Sequence, residues 1–298
     1  MILVTGATGQ HGSRLLHLLS ERGVAARAMA RNPAKAEAIA KLPHVEIVHA
    51  DMARPDTLPA ALRGIDRAIL ISSATPDMAD VQSNFVDAAR KAGVKHVVKL
   101  SGIAPNLDSS FRFGRMHGEI EKRLEASGMA WTHLRPGEFM TVYFRQVPAI
   151  ANKGALLLPM EEARIASIDI GDIAEVAAKV LTTPGHEGKI YSLTGPEALT
   201  MSEVAAKLST ATGKPIRYVN IAPEDARQAQ LAAGMPPFLA DGLFELFSER
   251  RRGMESRVWP DSEVLLGRRP TSFDEFARRN AAIFSGETQA TTASRSQR

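Results

Sequence analysis

Three glycines spaced three apart, Gly6, Gly9 and Gly12, sit between a short apolar run at residues 2–4 and a segment at residues 14–21 whose Leu15, Leu16, Leu18 and Leu19 recur at helical spacing. That order of strand, glycine turn and amphipathic helix leaves few folds open. Glycines allow a turn tight enough for backbone N–H groups to approach a pyrophosphate, and the helix that follows points the positive end of its dipole at the same anion. The stretch of Thr5, Gly6, Ala7, Thr8, Gly9, Gln10, His11 and Gly12 therefore reads as a dinucleotide-binding loop. An ordinary glycine turn is the competing reading. It does not account for the apolar run at 25–30, which completes a strand–helix–strand unit.

The alternation continues downstream. A helix is expected at 34–41, opened by Asn32 and Pro33, with strands at 45–49, 68–72 and 97–100 and a helix at 82–92 closed by Gly93. Continuous apolar strands between amphipathic helices predict an α/β fold, a Rossmann-type doubly wound parallel sheet covered on both faces. Residues 1–135 form the expected nucleotide domain, its sheet completed by later segments. Beyond it the pattern loosens: helix 119–127 ends at Gly128, strand 131–134 leads into the turn Arg135-Pro136-Gly137, and an apolar, aromatic segment fills 139–150. Further elements are expected at 173–181 (helix), 190–193 (strand), 200–210 (helix) and 216–221 (strand), with three helical stretches between 236 and 284. Thr200 with Glu203, and Ser272 with Glu275, each fit a capping box. The polar residues 286–298 read as a disordered tail.

About twenty residues beyond the glycine loop, an acidic residue would hold the ribose of NAD; here Arg31 ends the second strand instead, with Lys35 close behind. A guanidinium suits a ribose 2′-phosphate, so NADPH is the expected cofactor; a solvated helix start is the alternative reading of the two cations. Asp51, past the third strand, fits an adenine contact or a helix cap. Ser72 and Ser73 end the fourth strand, where ligands of open α/β sheets sit. Lys99 and Ser101, at the end of the fifth, are candidates for the nicotinamide ribose.

Composition excludes several classes. With 37 basic against 33 acidic side chains the net charge is only +4, which does not imply nucleic-acid binding. The clusters 250–252 and 268–269 read as solvated helix faces. Cysteine is absent, which removes disulfides, thiolate nucleophiles and the usual structural zinc sites, and no metal is expected. The first residues run directly into a strand, and no apolar stretch approaches eighteen residues, so neither export nor a membrane span is expected and the cytoplasm is the expected compartment.

Taken together, Thr5 to Gly12, Arg31-Asn32-Pro33-Ala34-Lys35, His117-Gly118-Glu119-Ile120-Glu121-Lys122 and Trp131-Thr132-His133-Leu134-Arg135-Pro136 resemble the NmrA-like branch of the atypical short-chain dehydrogenases. Within it, the bacterial NAD(P)H:quinone oxidoreductases and triphenylmethane reductase are most similar. The resemblance spans roughly residues 1–284 and is specific in the nucleotide half. It implies a Rossmann domain that binds NADPH and a smaller α/β C-terminal substrate domain, here 136–285, that closes over flat, conjugated acceptors. It also implies cofactor contacts from Gly6 to His11, Arg31 and the stretch Ser72, Ser73 and Ala74, with Gly137 near the nicotinamide and Phe139 and Tyr143 on the substrate. Pro136 departs from relatives that carry Asn there.

Typical short-chain dehydrogenases donate a proton from a Tyr followed four positions later by Lys, and none of Tyr143, Tyr191 and Tyr218 has that partner. A missing general acid removes about 10²- to 10⁴-fold of rate for acceptors that need protonation. Acceptors that take hydride readily, quinones or cationic conjugated dyes, are therefore the expected partners. His117, which the resemblance places at the start of the helix after the fifth strand, is the candidate acid; a core histidine is the alternative. Phe111, Phe113, Met116, Phe139, Met140, Tyr143, Phe144, Phe238, Phe244 and Phe247 fit either a pocket wall or core. Two functions fit these residues: an NADPH-dependent reductase, monomeric or homodimeric, or a non-catalytic sensor of dinucleotide redox state.

Overall fold

A computed structural model describes residues 1–288. From the start of the chain, β1 (Ile2–Val4) leads through the glycine turn into α1 (Gln10–Glu21), followed by β2 (Ala26–Ala30), α2 (Glu37–Ala40), β3 (Val45–His49), α3 (Leu58–Leu62), β4 (Arg67–Leu70), α4 (Met78–Lys91), β5 (His96–Leu100), α5 (Arg112–Glu125) and β6 (Ala130–Pro136). Next come α6 (Val147–Lys153), β7 (Ala155–Leu158), α7 (Ile170–Thr182), β8 (Lys189–Leu193), α8 (Met201–Thr212) and β9 (Arg217–Asn220). The helices α9 (Pro223–Ala232), α10 (Pro237–Arg251), α11 (Asp261–Leu266), α12 (Phe273–Arg279) and α13 (Ala281–Phe284) complete the described chain.

Seven strands form one sheet in the order β3-β2-β1-β4-β5-β6-β8, and the pairings from β3 through β6 are all parallel. Parallel neighbours need crossovers, which the intervening helices supply. The order reverses between β1 and β4, the place where open α/β sheets bind ligands outside the carboxyl ends of their strands. β7 and β9 pair in parallel as a separate sheet.

Two compact units result. The first comprises residues 1–109, 113–135 and 173–192; the second, 110–112, 136–172 and 193 onward. In the first, α4 buries Met78, Gln82, Phe85, Val86 and Ala89 at helical spacing against Leu3, Leu70, Val97, Ile120 and Leu124. Burying each large aliphatic side chain contributes about 1.5–3 kcal/mol. In the second, Met140, Leu156, Val204, Leu208, Phe273, Phe276 and Phe284 enclose one core. Among the described residues no helix is long and apolar enough to cross a membrane.

Several elements depart from the pattern read in sequence. The helix expected at 34–41 is a 3-10 turn, Pro33–Ala36, followed by the four-residue α2, because the Asn32 side chain accepts the Ala34 amide and tightens the entry. α5 starts seven residues before the expected 119. Gly114 and Gly118 look like helix breakers, yet α5 runs through both, and a β-carbon on Gly118 would just touch the Asn106 and Leu107 backbone at 3.4 Å. β7 was hidden in a broken apolar run, since its partner β9 lies about sixty residues away. Four helices follow Pro236 instead of three, and Asn280 separates α12 from α13. Both expected capping boxes are present. Of the tail expected at 286–298, residues 289–298 lie outside the described residues.

Candidate cofactor and active site

The glycine loop is shaped by contacts that no larger residue tolerates. Gly6 adopts φ +57°, and a β-carbon there would stand 3.0 Å from the Ile71 carbonyl oxygen. At Gly12 a β-carbon would fall 2.3 Å from the Gly6 carbonyl oxygen, an impossible distance. Buried Thr5 anchors the turn: its hydroxyl donates to the Ile71 carbonyl at 2.8 Å and accepts the Ile71 amide at 2.7 Å. Gly9 donates its amide to the Gly6 carbonyl, and α1 then begins with no side-chain cap and no acidic residue in its first turn. The positive helix end is thus left for an anion. Burial lowers the His11 pKa to about 4, so its imidazole stands neutral in the loop and brings no charge.

Parallel pairing aligns the carboxyl ends of β3, β2, β1, β4 and β5 along one edge of the first unit. Arg31 directly follows β2 and is exposed, and Lys35 is exposed in the 3-10 turn beyond it. Asp51 follows β3 and accepts the Ala53 amide at 3.0 Å, closing a local turn. Beyond β4, Ser72 and Ala74 are half-buried and Ser73 is exposed. Gln82 of α4, 1% exposed, donates from Nε2 to the Ser72 hydroxyl at 2.7 Å and fixes its direction. Sequence reasoning missed Gln82, which resembles any polar residue on an amphipathic helix.

At β5 the structure joins two residues that the sequence reading kept apart. Lys99, fully buried, lies with Nζ 2.9 Å from Nδ1 of His117 on α5. Burial, only partly offset by Glu121, lowers the Lys99 pKa to about 7. Burial and the neighbouring Lys99 charge push His117 well below its ordinary value, so its ring is neutral near neutral pH. The same burial and charge disfavour an imidazolium at His117. Next to this pair, Arg135 of β6 clasps Glu121 through Nε at 3.1 Å and Nη2 at 2.5 Å. His133 contacts Glu125 at 3.1 Å. Glu121, Glu125 and His133 are a group with metal-ligand chemistry, but Arg135 already occupies the Glu121 carboxylate.

In the second unit, Gly137 is buried and donates its amide to the Leu193 carbonyl at 2.9 Å. Phe139 is half-buried and bridges to Ile168. Tyr143 is 1% exposed, packs edge-on to Phe273 at 5.3 Å and donates its hydroxyl to Met201 Sδ at 3.8 Å, so it stands in the core of this unit. Met140 and Phe247 share that core, and Phe144 packs against it. Arg250 corrects the solvated-face reading of 250–252: it is 6% exposed and ion-paired to Glu138 at 2.5 Å and Glu255 at 2.6 Å.

The sequence profile described as the NmrA-like family matches residues 1–277. The chain belongs to the NmrA-like family. An NAD(P)H azoreductase of Xenophilus azovorans is 41% identical to this NmrA-like chain over 284 residues, covering 95% of the chain and 99% of the relative. Among solved structures, an NADPH-dependent quinone oxidoreductase of Escherichia coli complexed with NADPH superposes with TM-score 0.87 at 33% identity, covering 94% of this chain and 99% of that one. Triphenylmethane reductase of Citrobacter sp., complexed with NADP(H), gives 0.84 at 28% identity, again covering 94% and 99%. The NmrA-like sheet carries the glycine loop, Arg31 and Lys99 toward the carboxyl ends of β1, β2 and β5, with His117 on the helix after β5.

Proposed function

We propose that the protein is an NADPH-dependent reductase that passes hydride to a quinone or a similar conjugated acceptor. The observation that carries this reading is the glycine cradle with Arg31 at the end of the next strand. A β-carbon at Gly6 would press on Ile71 and one at Gly12 on the Gly6 backbone, so glycine keeps the turn tight enough for its amides to approach a pyrophosphate, and Arg31 follows the second strand where NAD-binding sheets place a carboxylate. These residues fit the dinucleotide. The names of the relatives, an azoreductase, a quinone oxidoreductase and a triphenylmethane reductase, support a conjugated acceptor.

In this reading the amides of Gly6 to His11 seat the diphosphate, Arg31 and Lys35 hold the 2′-phosphate, Asp51 serves the adenine side, and Ser72, Ser73 and Ala74 border the path toward the nicotinamide. Phe139 lines the acceptor, while Tyr143 supports it from the core. The bound nicotinamide supplies hydride. The chain's own contribution is orientation and a proton source, without a Tyr–Lys pair, in a cytoplasmic monomer or homodimer.

Steady-state reduction of a quinone panel with NADPH and with NADH, in wild type and Arg31→Ala, tests the reading. Losing charge-assisted hydrogen bonds of about 1.5–3 kcal/mol predicts a fall of about 10- to 100-fold in kcat/KM for NADPH, with NADH little affected. An unchanged cofactor preference removes the 2′-phosphate contact. Tight NADPH binding without turnover across the panel replaces the reductase with the sensor.

A further inference from the structure

Lys99 is the penultimate residue of a central strand, and a buried ammonium there is harder to accommodate than an apolar side chain of the same volume. Its placement determines the state of His117. An ammonium has three donors and no acceptor, so at 2.9 Å it makes Nδ1 the acceptor and leaves the ring hydrogen of neutral His117 on Nε2. The Cδ2–Nε2 edge faces Gly102, where a β-carbon would stand 3.0 Å from Cδ2 and 3.4 Å from Nε2. Gly102 opens the loop beyond the carboxyl end of β5, and both it and His117 keep partial exposure. The donor edge therefore points to the side of the sheet where ligands bind.

We propose that Lys99 and His117 form a proton relay, in which neutral His117 delivers its Nε2 proton to the reduced acceptor while Lys99 refills the ring through Nδ1. The relay rests on the reductase reading above. When the acceptor takes hydride, the Nε2–H bond breaks and its proton joins the acceptor oxygen. An Nζ–H bond of Lys99 breaks in turn, and its proton forms an Nδ1–H bond. Lys99 ends as a neutral amine, the imidazole ends neutral as its other tautomer, and the acceptor has gained one hydride and one proton. Water then protonates Nε2 as the Nδ1 proton returns to Lys99. No imidazolium persists, which suits a ring that burial keeps neutral.

The groups around the pair set its working range. Glu121 on α5 favours the Lys99 ammonium, Arg135 on β6 opposes it while clasping Glu121, and His133 on β6 is itself held below its ordinary pKa by burial. With a pKa of about 7, Lys99 can give up and regain a proton under ordinary conditions.

The test compares a quinone, whose reduction needs a proton, with a cationic triphenylmethane dye, which takes hydride at carbon and needs none. Wild type, Lys99→Met and Lys99→Gln are assayed across pH, and ¹⁵N NMR reads the His117 tautomer in cofactor-free protein. Wild type should show the Nε2–H tautomer and a quinone rate that falls as pH rises through about 7. In both variants the quinone-to-dye ratio of kcat/KM should drop about 100-fold or more and the limb near pH 7 should vanish. The relay is overturned by an Nδ1–H tautomer in wild type, by variants that keep the wild-type ratio and pH profile, or by an equal loss with both acceptors. If one variant fails to bind NADPH, the other decides. A wild type that binds NADPH yet reduces neither acceptor overturns the reductase reading and the relay with it, a result distinct from a relay failure because turnover is then absent before any substitution.

Discussion

The side chain of Lys99 makes stability depend on pH in a definite direction. Unfolded, it titrates near 10.5; folded, near 7, because burial disfavours the ammonium. Below pH 7 both states hold the proton and the full desolvation cost is present, on the order of 5 kcal/mol at most by linkage. Between 7 and 10.5 the unfolded chain binds more protons, so stability rises with pH. Lys99→Met should therefore raise the unfolding free energy from urea denaturation by about 1–4 kcal/mol at pH 6, and the gain should shrink steadily toward pH 10. A gain independent of pH would refute this account. At this scale the loop glycines were legible because a backbone that bends tightly before a helix needs them at fixed spacing. The Lys99–His117 contact was not, since the two are 18 residues apart and only the packing of α5 against β5 brings them together.

Local chemistry made some elements readable and others opaque. The start of α8 is written in four consecutive residues: Thr200 accepts the Glu203 amide at 3.2 Å, and Glu203 returns to accept the Thr200 amide at 2.8 Å. Removing that cap through Thr200→Ala should lower stability by about 1 kcal/mol in equilibrium urea denaturation, with no change in NADPH affinity, because α8 lies in the second unit. A loss above about 3 kcal/mol would mean that the hydroxyl does more than cap. The start of α5 was unreadable for the opposite reason. Gly114 and Gly118 weaken a helix in isolation, and the tertiary contacts of α5, among them the 106–107 backbone beside Gly118, outweigh that local preference. β7 likewise depends on a distant partner, so no local periodicity announces it.

Across the whole molecule, segments far apart in sequence meet at charges that water does not reach. Arg250 of α10 is held between Glu138 and Glu255, with Ser167 donating to Glu138 at 3.2 Å. Burial pushes the Glu255 carboxyl above the usual range, Arg250 pulls it down and Glu138 pushes it further up. Arg250→Met leaves two carboxylates facing each other, and stability at pH 7 should fall by about 3–5 kcal/mol. Because a raised carboxyl takes its proton first as pH falls, the deficit should narrow at pH 5, a comparison of urea midpoints that a purely steric effect would leave unchanged. In sequence, Arg250 stood among three arginines and read as surface; nothing within the helix distinguishes it from Arg251 or Arg252.

By itself the sequence determined the glycine turn, the alternation of strand and helix, the parallel sheet and the cation that ends the second strand. Each of these follows from interactions within a few residues: backbone sterics at glycine, apolar periodicity, and the residue that ends a strand. Only the tertiary structure decided which charges are buried, which hydroxyl Gln82 orients, and that Lys99 faces His117. Burial and pairing belong to the packing of distant segments, and desolvation, which sets the charge state of a side chain, exists only once that packing has excluded water.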